Sequence, residues 1–289
     1  MIRLFFILIA LTSLPAHALD YTQLGAVKRL TADKRYDEAI QKLEALAAKT
    51  DEPGENFHYL ELALDITVKS LKSAERSLAL AAKVKDAAHR DFATLRVLAA
   101  FDRHDEALAS VQGKDINDWP VRCRGAAHGI LAEIYHAKKD SKAELQQWLE
   151  AADSPGAELV THGRALCEAA ELQLKFGNAA QAEQQLRKAV ALTPANYAWR
   201  VEALVTLSRL LIEQQRSKEA LKVFDGTDFT KVTSVTPRGN LIEAHARALL
   251  AAGKKIRAIE TFDQLLQIDL PATWKDRINK ELDQMAEDF

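Results

Sequence analysis

Gly177-Asn178-Ala179-Ala180-Gln181-Ala182-Glu183-Gln184-Gln185-Leu186-Arg187-Lys188-Ala189-Val190-Ala191-Leu192-Thr193-Pro194 decides the fold. Gly177 punctuates the chain where one helix should stop. A small residue, Ala182, then opens a second. Leu186, Ala189 and Leu192 follow at spacings of four and three, placing an apolar stripe on one helical face. Pro194 closes the unit. The segment thus reads as the second half of an antiparallel helical hairpin, with Ala182 where the two helix axes come closest.

The same signal recurs outward in both directions. It appears as Asp33-Lys34-Arg35-Tyr36-Asp37-Glu38-Ala39, Asp102-Arg103-His104-Asp105-Glu106-Ala107, Lys139-Asp140-Ser141-Lys142-Ala143, Gln215-Arg216-Ser217-Lys218-Glu219-Ala220 and Gly253-Lys254-Lys255-Ile256-Arg257-Ala258. The marker alanines Ala39, Ala107, Ala143, Ala182, Ala220 and Ala258 are 68, 36, 39, 38 and 38 residues apart. The first gap is twice 34 and predicts a further copy near Ser73-Ala74, where Leu78 and Ala81 follow at helical spacing. Two hairpins are expected to depart from the pattern. Gly113 and Asn117-Asp118-Trp119-Pro120 shorten the third, and a break from Asp225 through Gly239, rich in β-branched residues, interrupts the sixth. That break implies either a projecting surface loop or a change of pitch.

A hairpin of this kind cannot bury both faces alone and must stack on its neighbours. The loop residue, small crossing residue, packing positions and closing proline resemble those of the tetratricopeptide-repeat (TPR) family, with its period of about 34 residues. The seventh copy, with Gly253, Ala258, Phe262, Leu265 and Pro271, is similar. The resemblance implies an all-α, right-handed superhelical solenoid of about seven helical hairpins plus a C-terminal capping helix. The hairpins are expected at residues 21–53, 54–86, 87–117, 118–155, 158–194, 195–236 and 237–271. Residues 272–289 form the cap, with Trp274, Ile278, Leu282 and Met285 on its apolar side.

The chain of 289 residues starts with Arg3 and an apolar run, Leu4 to Leu14, too short for a stable membrane span. Pro15 and Ala16-His17-Ala18 follow in the form that signal peptidase cuts, so residues 1–18 read as a signal peptide cleaved after Ala18. The mature chain, 19–289, is expected in the periplasm or outside the cell. It carries 38 basic and 41 acidic residues, a balance that offers nucleic acid no basic face.

Catalytic signatures are missing. The sequence has neither phosphate-cradling glycine loop, no His-Glu-x-x-His and no Gly-x-Ser-x-Gly. His128 and His136 share a helix face but lie about 12 Å apart, too far for one metal. The acid pairs Asp37-Glu38 and Asp105-Glu106 suit the positive end of a helix. No catalytic residue, metal or cofactor is expected. Cys123 and Cys167 fall on neighbouring first helices. They form a disulfide if the tilt allows, or else serve as two small buried side chains.

In the family the first helix of each hairpin lines a concave groove. Projecting that stripe here gives aromatic surface at Tyr59 and Phe92, a narrow middle where Gly125 and Gly129 remove bulk, and charges at Arg96, Glu133, Glu171, Arg209 and Arg247. Apolar anchors with separated charges suit an extended peptide or a partner helix. The expected function is a non-catalytic protein–protein interaction scaffold of the cell envelope. The alternative is a carbohydrate or cell-wall ligand module, for which Trp119 is the one tryptophan read as free to stack on sugar. Self-association stays open, and no membrane insertion is expected after signal removal.

Overall fold

A computed structural model describes residues 21–192 and 198–287. The expected signal peptide and Pro194 lie outside them. Fifteen α-helices and no strand occur among the described residues. Two compact units divide the chain, Met1–His162 and Gly163–Phe289. The first unit holds four hairpins: α1 (Tyr21–Ala32) with α2 (Tyr36–Lys49), α3 (Pro53–Ile66) with α4 (Ala74–Ala81), α5 (Ala87–Ala100) with α6 (His104–Val111), and α7 (Val121–Ala137) with α8 (Ser141–Asp153). Helix α9 (Leu159–Lys175) crosses the division. With it, the second unit contains α10 (Ala179–Val190), α11 (Ala198–Glu213), α12 (Ser217–Lys222), α13 (Val235–Ala251), α14 (Lys255–Leu266) and α15 (Ala272–Glu287).

One backbone device makes every hairpin turn. A residue shortly past each first helix is left-handed: Lys34, Lys72, Asp102, Lys139, Gly177, Gln215 and Gly253, with φ between 51° and 77°. In six of the seven, the next N–H reaches back five residues, as Arg35 N donates to Leu30 O at 2.9 Å and Asn178 N to Gln173 O at 2.8 Å. These bonds satisfy carbonyls that the helix end leaves open. Five of the seven positions are not glycine, so each of those accepts strain of about 1 kcal/mol for the turn. The second hairpin differs because a π turn over Thr67–Leu71 inserts one residue, and Ser73 N reaches Thr67 O at 3.2 Å.

Five residues after each left-handed position comes the close crossing of the two helices. Ala39, Ser77, Ala107, Ala182, Ala220 and Ala258 are fully buried there. Two sequence assignments move as a result. The second crossing residue is Ser77, whose hydroxyl bonds Thr67 Oγ1 at 2.9 Å, and Ala74 is not at the crossing. The fourth is Glu144, not Ala143: Glu144 is buried, and its carboxylate meets His136 Nδ1 at 3.0 Å. The left-handed residues are spaced 38, 30, 37, 38, 38 and 38 apart, so the first gap does not split into two equal periods of 34.

The third hairpin has a second helix of eight residues, as its Gly113 suggests. Trp119 then turns inward and packs edge-on to Phe92, ring centroids 6.4 Å apart. The break in the sixth hairpin does not project as a surface loop. Phe224 and Val232 are buried, Phe229 stacks on Phe224 at 6.3 Å, and both rings lie 5.2 Å from the His245 ring. The break also ends earlier than expected. Helix α13 starts at Val235 and holds Pro237 in its first turn, where a missing N–H costs no helical bond. Helix α15 closes the second unit by burying Ile278 and Met285 with Ile242, Phe262, Leu265 and Leu270.

Candidate functional site

Charged side chains bridge α3 to α5 in the first unit and α13 to the closing helix α15 in the second, and these bridges mark the candidate site. In the first unit Arg96 of α5 donates to Glu61 of α3 at 3.0 Å and also pairs with Asp65, which Lys69 meets at 2.7 Å. Burial raises the Glu61 carboxyl, while the Arg96 and Arg122 charges pull it back. Arg122 of α7 lies 4.9 Å from the centroid of the Phe57 ring. Burial, and secondarily the Arg122 charge, lowers His58 below its ordinary value. Burial likewise lowers His89, although its Nδ1 contact with Asp86 at 2.8 Å opposes the shift. Both imidazoles are therefore neutral at pH 7.

Several residues projected from sequence sit elsewhere. Tyr59 and Phe92 are 3% and 4% exposed, so neither offers aromatic surface. Phe92 packs edge-on against Phe57 at 6.0 Å, and the Tyr59 hydroxyl donates to Glu55 at 3.4 Å. Helix α3 is covered on nearly every side, which a single-stripe projection does not anticipate. Gly125 and Gly129 belong to the contact between α7 and α8. A Cβ on Gly125 would stand 2.9 Å from Ala157 Cβ, and one on Gly129 would stand 3.5 Å from Trp148. Glu133 is half-buried on α7. Trp119 is buried too, which removes the surface on which the carbohydrate alternative relied.

In the second unit, Glu168 and Glu171 of α9 approach Glu202 of α11. The Glu202 residue remains exposed, yet surrounding protein displaces much of its water. Desolvation, then the charges of Glu171 and Glu168, push its carboxyl up to about 7, with Arg164 opposing. A carboxyl raised in the folded state contributes stability that is fully present below the unfolded value near 4.5. That stability is lost as pH rises through about 7. Glu202→Gln is therefore expected to match the wild type at pH 4.5 and to exceed it at pH 8, by about 1 kcal/mol after solvent screening. Urea midpoints at the two pH values check this, and equal midpoints at pH 8 would contradict it.

Arg209 is exposed on α11 and pairs with no carboxylate among the described residues. Arg247 is less free than its stripe position implies. It donates to Glu243 Oε1 through Nε at 3.0 Å and Nη2 at 2.8 Å, and to Glu281 through Nη1 and Nη2 at 3.0 Å. Arg277 of α15 places two N–H groups on the two Glu243 oxygens at 2.8 Å, and Trp274 Nε1 donates to Oε2 at 2.6 Å. Burial alone would raise Glu243, but hydrogen bonds from Arg277, Arg247 and Trp274 prevail and hold it down at about 2. Gly239 lets the Trp274 ring lie this close, since a Cβ there would be 3.1 Å from its Cη2. Glu202, Arg277 and Glu281 are absent from the sequence projection. The first lies two turns before Arg209 on the same helix, and the other two lie on a helix read only as a cap.

No arrangement among the described residues suggests bond-making chemistry. Burial pushes the Cys123 thiol up to about 12 and raises Cys167 as well, so neither is a ready nucleophile. Both cysteines are free, so the disulfide possibility is not realised. No cluster of three or more His, Cys, Asp or Glu able to hold a metal occurs among the described residues. No helix among them is long and apolar enough to cross a membrane.

No protein-family model matches the chain, and no curated protein matches it. Solved structures do. YrrB, a TPR protein with an unusual peptide-binding site, aligns over 72% of this chain and 100% of its own, with 17% identity and a TM-score of 0.51. PilF of Pseudomonas aeruginosa aligns over 80% of this chain and 98% of its own, with 16% identity and a TM-score of 0.52. These likenesses agree with the left-handed turns, the small crossing residues and the successive helix pairs: the chain has the tetratricopeptide-repeat fold.

Proposed function

We propose that this protein is a non-catalytic scaffold of the cell envelope that binds a peptide or protein along the first helices of its hairpins. The observation that supports this reading most is Arg209, which the packing of first helix α11 leaves exposed and without a carboxylate partner among the described residues. An open cation on a first helix suits the orientation and selection of a partner. The peptide-binding site of YrrB lends the reading support by analogy of fold.

Photo-crosslinking tests it. A crosslinking amino acid at position 209, on a first helix, is expected to capture a partner in the envelope fraction. The same group at the exposed positions 41 and 184, on second helices, is not. Equal labelling from all three positions would reject the reading. Arg209→Glu is expected to weaken capture without changing the helical melt. Arg247 is a poorer probe, because its reversal also breaks the bonds to Glu243 and Glu281. The envelope location rests on residues 1–18 and is checked by fusing them to a reporter that folds only outside the cytoplasm. A silent reporter would remove that part.

A further inference from the structure

We infer that the cleft between α13 and α15 receives a carboxylate side chain from an extended segment of the protein partner, a reading that rests on the scaffold function above. The cleft is shallow and open to solvent, and is lined by Arg247 of α13 and by Thr273, Asp276, Arg277, Lys280, Glu281 and Gln284 of α15. Helix α15 thus does more than solvate the end of the unit. Thr273, Arg277, Lys280 and Gln284 recur at spacings of four, three and four, so one face of the helix continues the first-helix surface beyond α13.

Three features select the ligand. First, Glu243 is largely covered, with its side chain 13% exposed, and its bonds to Arg247 and Arg277 fix both guanidinium groups before any partner arrives. Preorganised donors bind with less loss of side-chain freedom. Second, the charges differ in how far they are used. Arg247 commits four of its five N–H groups to two carboxylates, whereas Arg277 commits two, and Lys280 has no carboxylate partner among the described residues. Lys280 follows Arg277 by three residues, so both cations stand over the same cleft wall. Third, Asp276 and Glu281 on the same wall disfavour a run of acids. The cleft therefore suits one carboxylate set among neutral hydrogen-bonding residues, for which Thr273 and Gln284 supply polar contacts.

Nonapeptides of alanine, serine and asparagine with a central glutamate, glutamine or lysine provide the test, by fluorescence anisotropy on the mature chain at low salt. The glutamate peptide is expected to bind about tenfold more tightly than the glutamine peptide, with the lysine peptide weakest. Lys280→Glu, at an exposed position outside the Glu243 network, is expected to abolish that preference while its melting curve stays unchanged. Lys280→Gln is expected to fall between. Equal affinities for the three peptides on the wild type, or an undiminished glutamate preference in Lys280→Glu, would overturn the inference. If position 209 still crosslinks a partner while the peptides are not discriminated, the scaffold reading stands and this one falls. Loss of both removes both.

Discussion

Glu243→Ala is expected to release α15 and to lower the stability of the second unit by about 2–3 kcal/mol. Removing one member of a buried ionic network costs about 3–5 kcal/mol when the remaining charges stay buried. Here the expectation is smaller because Arg247 and Arg277 are 41% and 50% exposed and regain water. The Trp274 indole N–H also loses its acceptor. Hydrogen exchange should show faster opening of α15 amides while α9 and α10 keep their protection. The pH dependence follows from the same residue. A carboxyl held at about 2 contributes stability above its unfolded value near 4.5, and that stability is lost as pH falls from there toward 2. The wild type should therefore lose α15 protection over that interval, whereas Glu243→Ala should show the exposed state at every pH. Wild-type protection that is flat between pH 5 and 2.5 would refute the assignment.

Gly156→Ala carries the second large expected effect, a loss of about 3 kcal/mol in the first unit. Two costs add. Gly156 sits at φ +68°, where a Cβ adds strain of about 1–2 kcal/mol. That Cβ would also fall 2.4 Å from Val121 Cγ1, and overpacking of this kind costs about 1–3 kcal/mol. Gly113 separates the terms, because it has φ +75° but nothing within 4 Å of the added atom. Gly113→Ala should therefore show the strain alone, about 1 kcal/mol. Combining Gly156→Ala with Val121→Ala should recover the difference, since Val121 is 44% exposed and little packing is lost by trimming it. Urea denaturation of Gly113→Ala, Gly156→Ala, Val121→Ala and the Gly156→Ala/Val121→Ala double measures the terms. Equal losses for Gly113→Ala and Gly156→Ala would show that Val121 simply moves aside.

Much of the fold was legible because its signals are local. A loop of Gly, Lys, Asp or Asn and a small residue opening the next helix fall within six residues of one another, and they announce most hairpins without knowledge of their neighbours. The hidden second hairpin, the short third and the closing α15 follow from the same grammar. Position within the grammar was less secure. Ala143 and Glu144 are adjacent, and only packing shows that the charged residue occupies the crossing. A serine or glutamate there defeats a search for alanine, although the backbone turn before it is the same.

The candidate site was legible in outline and not in detail. Arg96, Arg209 and Arg247 lie on first helices as the stripe requires, but the structure gives the three arginines different roles. Arg96 and Arg247 are spent on neighbouring helices, while Arg209 stays exposed. Tyr59 and Phe92 went to the core because one residue of register turns a helical side chain by about 100°. At that angle a groove position becomes a contact with the next helix.

The amino-acid order alone therefore settled that this chain builds helical hairpins in series, since the information needed for each turn spans only a few peptide units. Which side chains remain available to a partner was decided by tertiary packing. Whether Arg247 is free depends on Glu281, which lies 34 residues further along the chain. That Lys280 lines one surface with Arg247 depends on how α15 lies beside α13. Spacing within one helix contains neither fact, because both depend on how closely and at what rotation separate helices meet.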